Sequence, residues 1–489
     1  MSMFRLFFFM LILLSQVSCV SRNQDAVITF DLNTVVNDGY IGNGVQWDPY
    51  QLDYGRGRME ISESDWNKLY ERLDFMRPQF IRMMINTSSF LDNGKFAPGK
   101  NMEVLEPMLA YCQRRGVKVM FGDWGWSVID RRTAAINKKN MFHAAELLDY
   151  LVRERGFDCI EYYNLINEPN GDWSATNTSH TLWLAAMKEF YGHLKQFELH
   201  DKVKMVGPDI AIWSDREAWW IDSTAAELGE VVDLYDIHTY PSKITVNSGA
   251  YSEIIRAYKE KIPQGKKIVM GEIGFKFVEE ADSLYHNENI RRAKAAAYAS
   301  LEDSQMFVYD FMYGTDMADA LFQTVNEGYS GCIVWMLDDA MHSNESPDKL
   351  KVWGFWNILG EEQFGASEEE VRPWFYAWSL LTKYMPAGSV IYRTDISGDT
   401  NIKAVISEKD GKQMIAVVNV SDKPLMVKLG SSGMAEIKDC RKFVYHETTL
   451  KKEGDHRLLP NEEGLPLNLH DGVMVEMLPE SVVVFTNMQ

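Results

Sequence analysis

Between Tyr40 and Tyr384 the chain repeats one unit, a short apolar β-rich run followed by a longer segment of helical period. The runs are IGNGVQW (41–47), FIRMMIN (80–86), VKVMFGD (117–123), IEYYNLIN (160–167), VKMVGPD (203–209), VDLYDIH (232–238), KIVMGEI (267–273) and GCIVWML (331–337). Helical segments are read at 64–75, 102–115, 142–154, 180–197, 252–261, 287–301 and 373–384. Each run is apolar on both faces, as in a parallel sheet covered by helices. Eight such units predict an α/β chain with a (β/α)8 barrel over residues 40–385. A doubly wound open sheet would call for a Gly-rich phosphate turn after an early strand, and the sequence has none.

The pattern changes after Pro386. From there the chain holds only short strand-like runs and turns, with a hairpin signal at Asp410-Gly411, which predicts a smaller all-β sandwich domain over 386–489. AVITFDLN (26–33), within the stretch 19–39, also reads as a strand and is a candidate to cross over and join that sheet. Residues 1–18 read as a signal peptide, with Arg5 before the apolar run Leu6–Leu14. Cys19 follows LLSQVS, a resemblance to bacterial lipoprotein signals that implies an exported protein lipid-anchored at Cys19 in the periplasm or at the cell surface. A formal charge of −20 disfavours nucleic acid and bare anionic membrane surfaces as partners. Cys112, Cys159, Cys332 and Cys440 are scattered without a CxxC and are expected to be core thiols.

In a barrel of this kind the carboxyl ends of the strands form the mouth, where chemistry is done. The fourth run ends NLINEPNGDW and carries Glu168, and the seventh ends VMGEIGF and carries Glu272. A carboxylate at the end of an apolar strand is costly to bury unless it is paired or used. Two carboxyls facing each other across a mouth are the machinery of glycosidic bond cleavage, one donating a proton and the other attacking the sugar carbon.

These motifs resemble clan A glycoside hydrolases, retaining enzymes built on a (β/α)8 barrel. The layout, with its companion sandwich, is similar to families 30, 39 and 51. The resemblance implies that Glu168, within Asn167-Glu168-Pro169, is the acid/base and Glu272 the nucleophile. It implies that Asn167 binds a sugar 2-hydroxyl and that Arg82 lies beneath Glu272 and keeps it ionised. It implies that His238 and Tyr240, in YDIHTYP, reach the nucleophile or the sugar, and that Trp335 floors the sugar site. Candidate substrates are β-D-xylosides, β-D-glucosides and α-L-arabinofuranosides, as parts of plant-type or other oligo- and polysaccharides.

Loop residues Trp47 and Asp48, Trp124 and Trp126 in DWGW, and Asp338, Asp339 and His342 are further candidates for binding hydroxyls or stacking on sugar rings. No metal ligand motif such as HExxH occurs among the ten His, and the two-carboxylate reaction needs neither metal nor cofactor. The competing reading is a non-catalytic surface lipoprotein that binds glycans on a glycosidase-like barrel. Retention of both Glu168 and Glu272 argues against it.

Overall fold

A computed structural model describes residues 24–50, 60–344 and 346–489. Cys19 and the signal region lie outside the described residues. Eight parallel strands close into a barrel: Gly44–Gln46, Phe80–Ile85, Lys118–Asp123, Ile160–Asn164, Lys204–Ile212, Val232–Thr239, Lys267–Ile273 and Cys332–Val334. They are called barrel strands one to eight below. Each strand contributes, at or near its start, to a closed apolar layer of Ile41, Phe80, Met120, Tyr162, Val206, Leu234, Val269 and Ile333. That layer plugs the amino end of the barrel and leaves only the opposite mouth for polar side chains.

Helices cover the outside. Glu63–Met76 begins with a capping box in which Ser62 and Asp65 satisfy each other's backbone N–H groups. Met102–Arg115 ends at Gly116 in the left-handed region. The helical segment read at 287–301, after strand seven, differs from expectation. Ser283–Ala295 lies where a helix was read, but it belongs to the long connection after strand seven. The helix that packs between Ala250–Lys259 and Trp374–Lys383, as the barrel's seventh, is Phe311–Asn326. Its residues from Tyr313 to Val325 are all buried, so it has no polar face to give a period.

The cause is the second domain. Nine strands form one sheet in the order 462–468, 436–445, 481–486, 412–419, 402–409, 390–398, 26–37, 425–432, 473–477. Leu467 from one margin and Val475 from the other share a core with Ile28, Ile402, Ala404, Ile406 and Val427, so the sheet folds over on itself as a sandwich. Alternate residues face the other way: Val405, Met414, Ala416, Val418, Val482 and Val484 join the barrel's hydrophobic core. Burial on both faces explains why residues 414–418 and 482–485 are continuous apolar runs. Tyr445 seals the contact, its hydroxyl donating to the Phe311 carbonyl at 2.8 Å. The N-terminal strand Ala26–Asn37 runs antiparallel to Val390–Gly398 and parallel to Leu425–Ser432.

Candidate active site

Side chains at the mouth follow from strand parity. Phe80 points into the barrel floor, so Arg82, two residues on, also points inward and is fully buried. Gln46 on strand one faces it, and Arg82 Nη1 donates to Gln46 Oε1 at 2.6 Å. Trp47 therefore points outward. Its indole N–H donates to the Tyr50 hydroxyl at 3.1 Å and its ring meets Tyr111 edge-on at 5.9 Å. The structure corrects Trp47 from a sugar-binding candidate to a core residue.

Strand seven breaks parity by a bulge. Ile237 is opposite Met270, but His238 is opposite Glu272, so Gly271 is an extra residue. The bulge brings Glu272 onto the inward face, where an even strand would have left it outside. Gly271 donates its N–H to Asp236 Oδ1 at 2.7 Å. A Cβ at that position would stand 2.0 and 2.2 Å from the Asp236 carboxylate oxygens, so only glycine fits.

Strand four ends at Asn164, three residues before the stretch read from sequence as its tip. Glu168 then sits in a turn with φ 46°, its N–H donating to the Asp209 carbonyl at 3.0 Å. Left-handed backbone at a non-glycine residue costs on the order of 1–3 kcal/mol and persists where the surroundings impose it. Here Asp209, at the bulge within strand five, does so.

These elements place Glu168 and Glu272 at one mouth. A carboxylate oxygen of each and a His238 ring nitrogen all lie within 4.8 Å of one another. Both acids keep a little exposure, 8% for Glu168 and 5% for Glu272. Arg82 Nη1 donates to Glu272 Oε2 at 2.8 Å, and the Tyr240 hydroxyl donates to Oε1. Arg82 Nη2 donates to Asn167 Oδ1 at 2.7 Å, which leaves the Asn167 amide nitrogen as the donor for a ligand. Trp173 Nε1 donates to Glu168 Oε2 at 2.6 Å.

His238 is fully buried among carboxylates. Its Nε2 lies 3.0 Å from Asp209 Oδ1, and its Nδ1 lies 3.2 Å from Glu168 Oε1 and 3.8 Å from Glu272 Oε2. Burial opposes its charged form, but Asp209 in particular holds its pKa well above the usual imidazole range. Asp209 is itself drawn down to about 2, because His238 and then Arg82 outweigh the cost of its burial. Burial pushes Asp236 up to about 7. Burial also raises Glu272, while His238, Arg82 and the Tyr240 hydroxyl pull it back. The clusters Glu168–His238–Glu272 and Asp209–Asp236–His238 have spacings a metal ion could use. A protonated His238 has no lone pair to give, and Arg82 already supplies the positive charge there, so the donor set fits a proton network better than a cation.

The remaining candidates divide. Trp335 is stacked on His342 with centroids 5.1 Å apart, and Trp124 meets both edge-on, so three rings form one wall of the mouth. Trp124 also lies 5.9 Å from the Arg82 guanidinium. Trp126 is exposed on the loop after strand three, with Arg131 over its ring. Asp48 accepts from Gln46 and from the Met84 N–H and pairs with His342, so it braces the wall from behind. Asp338 is corrected to a structural residue: fully buried, it accepts from Tyr50, Trp356 and the N–H groups of Ala340 and Ile358. Asp339 is likewise committed, to Arg372 and the N–H groups of Trp353 and Gly354. Asp209, Asp236, Gln46 and Trp173 were not singled out in the sequence. Only the acids had a signal, as charged residues inside apolar strands.

No protein-family model matches this sequence, and no curated protein does. Solved structures do. A family 30 endoxylanase from Clostridium papyrosolvens has TM-score 0.61 at 13% identity, over 94% of this chain and 99% of its own. A family 39 beta-xylosidase from Caulobacter crescentus has TM-score 0.59 at 14% identity, over 94% and 99%. A conserved exported protein from Bacteroides fragilis has TM-score 0.61 at 11% identity, over 94% and 100%. At such identities the likeness is one of fold, a clan A-like barrel with its companion sandwich and no family assigned.

Proposed function

We propose that this protein is a retaining glycoside hydrolase that cleaves O-glycosidic bonds of oligo- or polysaccharides. The observation that carries the reading is the pair Glu168 and Glu272, with carboxylate oxygens within 4.8 Å of each other at the open end of the barrel. Retaining enzymes hold their two carboxyl groups about 5–5.5 Å apart, whereas inverting ones leave room for a water at about 6.5–9.5 Å. In this reading Glu168 gives its proton to the glycosidic oxygen as Glu272 attacks the anomeric carbon. The carbon–oxygen bond breaks, the leaving sugar departs as an alcohol, and a glycosyl ester forms on Glu272. Glu168, now a carboxylate, takes a proton from water, which attacks the anomeric carbon and frees Glu272.

The surroundings suit unequal roles. Arg82 and Tyr240 hold both oxygens of Glu272 and stabilise a carboxylate in a buried position. Asn167, oriented by Arg82, supplies an amide donor for the sugar 2-hydroxyl. Trp335, Trp124 and His342 give an apolar wall for the sugar ring. The proposal includes export and anchoring through Cys19, checked by labelling cells with a fatty acid and comparing Cys19→Ala.

The test is a panel of activated aryl glycosides with the parent and Glu272→Ala. The parent is expected to turn over at least one, with the first-formed sugar keeping its anomeric configuration by NMR. Glu272→Ala should lose about 10⁴-fold or more in kcat, as removal of a covalent route demands. Undiminished turnover in Glu272→Ala, or an inverted product, would sink the mechanism. A parent that binds glycans and turns over none would transfer the reading to a glycan-binding lipoprotein.

A further inference from the structure

Beside Glu168 the surface carries three tryptophans, and the site above uses only the N–H of one of them, Trp173. Trp173, Trp213 and Trp219 are 46%, 49% and 48% exposed. A soluble protein seldom leaves several large rings together in water without a use for them. With Asp172 and Glu217 they line a cavity of about 540 Å³. That volume lies within the range of roughly 300–1,000 Å³ in which small ligands bind.

The rings are held from behind. Trp173 and Trp213 meet edge to face, with centroids 5.7 Å apart at 86°. Trp219 rests against buried Trp220 at 5.2 Å and against His180 at 5.0 Å. The loop bearing Trp173 is tied to the loop after strand three, since Arg131 donates to the Asp172 carbonyl and to Asn177 Oδ1. The cavity adjoins the candidate active site through Trp173, whose indole N–H donates to the Glu168 carboxylate at 2.6 Å.

We infer that this cavity binds the leaving-group side of a neutral oligosaccharide, with pyranose rings lying on Trp173, Trp213 and Trp219. The inference rests on the proposed function, which makes Glu168 the proton donor. The group that protonates the glycosidic oxygen faces the departing sugar, so the surface just beyond Glu168 is where that sugar and its successors lie. Pyranose rings present flat C–H faces to indoles and hydroxyls at their edges, and Asp172 and Glu217 are placed among the rings to accept from such hydroxyls. Those carboxylates, on a chain of formal charge −20, repel uronic or sulfated sugars, so the chain bound is neutral. The substrate class that follows is a polymer or long oligosaccharide with sugars on both sides of the bond cut.

The experiment separates binding from turnover. Glu272→Gln is titrated calorimetrically with xylohexaose and with cellohexaose, and the titrations are repeated after adding Trp213→Ala or Trp219→Ala singly. Circular dichroism confirms that each variant is folded. Kd for the better hexaose is expected to rise at least tenfold in each. In the active protein, the same substitutions should lower kcat/KM on that hexaose at least tenfold more than on an aryl glycoside. Equal affinities in all three proteins overturn the inference, as does failure of Glu272→Gln to bind either hexaose at millimolar concentration. A parent that binds the hexaose through these tryptophans but cleaves no glycoside would refute the hydrolase reading and leave the binding site standing.

Discussion

Replacing Gly271 with alanine tests the claim that a single missing side chain lets Glu272 face the mouth. The new Cβ would stand 2.0 and 2.2 Å from the Asp236 oxygens, where contacts below 3.0 Å force something to shift. The carboxylate must retreat by about an ångström, a form of overpacking that costs about 1–3 kcal/mol. Retreat also breaks the 2.7 Å bond from the Gly271 N–H. Losing that partner in a buried position costs about 1–3 kcal/mol more. Together the loss is about 2–6 kcal/mol, large against the 5–15 kcal/mol typical of whole domains. Urea unfolding followed by circular dichroism measures it. In an Asp236→Ala background the clash and the bond are both gone, so the same substitution should cost under about 1 kcal/mol, a coupling of over 1 kcal/mol. Gly192→Ala is the control: it lies in the helix His180–Gln196 with nothing within 4 Å, and should stabilise by about 0.5–1 kcal/mol. The reasoning fails if Gly271→Ala unfolds within about 0.5 kcal/mol of the parent, the usual spread of neutral substitutions, or if its cost persists without Asp236.

Other substitutions probe the buried charges and the domain contact. Arg82→Met strands Glu272 and Asp209 without their guanidinium and should destabilise by about 3–5 kcal/mol near neutral pH. Asp209 is held at about 2, below its usual value, so its stabilising share is present above about pH 4 and lost toward pH 2. The gap between Arg82→Met and the parent should therefore narrow as urea titrations move to acid. Asp236, raised to about 7, has the opposite sign: it binds more protons folded than unfolded, so its cost grows as pH rises from about 4 to about 7. Relative to Asp236→Asn, the parent should lose stability between about pH 4 and about pH 7, and parallel curves would disprove the shift. Tyr445→Phe removes the hydroxyl bonded to the Phe311 carbonyl and should cost about 0.5–1.5 kcal/mol by the same unfolding assay.

The sequence made the barrel legible because its strands are short, apolar and regularly spaced, and a fold with one open end tells where to look for acids. Glu168 and Glu272 were visible for that reason. Trp47 was misread because one residue of parity decides between mouth and core, and the inward position on strand one belongs to Gln46. Asp338 looked like a mouth acid at the end of an apolar run, but four donors already occupy it, three of them from distant positions, Tyr50, Trp356 and Ile358. The helix Phe311–Asn326 was hidden because the sandwich covers its outer side, which erased the polar stripe that marks a surface helix. Trp213 and Trp219 carry no local signal at all. Their relation to Glu168 exists only once strands four and five stand side by side.

The strand Ala26–Asn37 has a consequence for how the chain is made. It leaves the ribosome early, yet both of its hydrogen-bonding neighbours, Val390–Gly398 and Leu425–Ser432, emerge after the whole barrel. Until then it travels as an open ribbon with two unmet edges, the kind of surface that recruits chaperones or sticks to other chains. The closing stretch of the polypeptide is thus the clasp for the opening one, and a premature stop ahead of it would strand that early segment rather than merely trim an appendage.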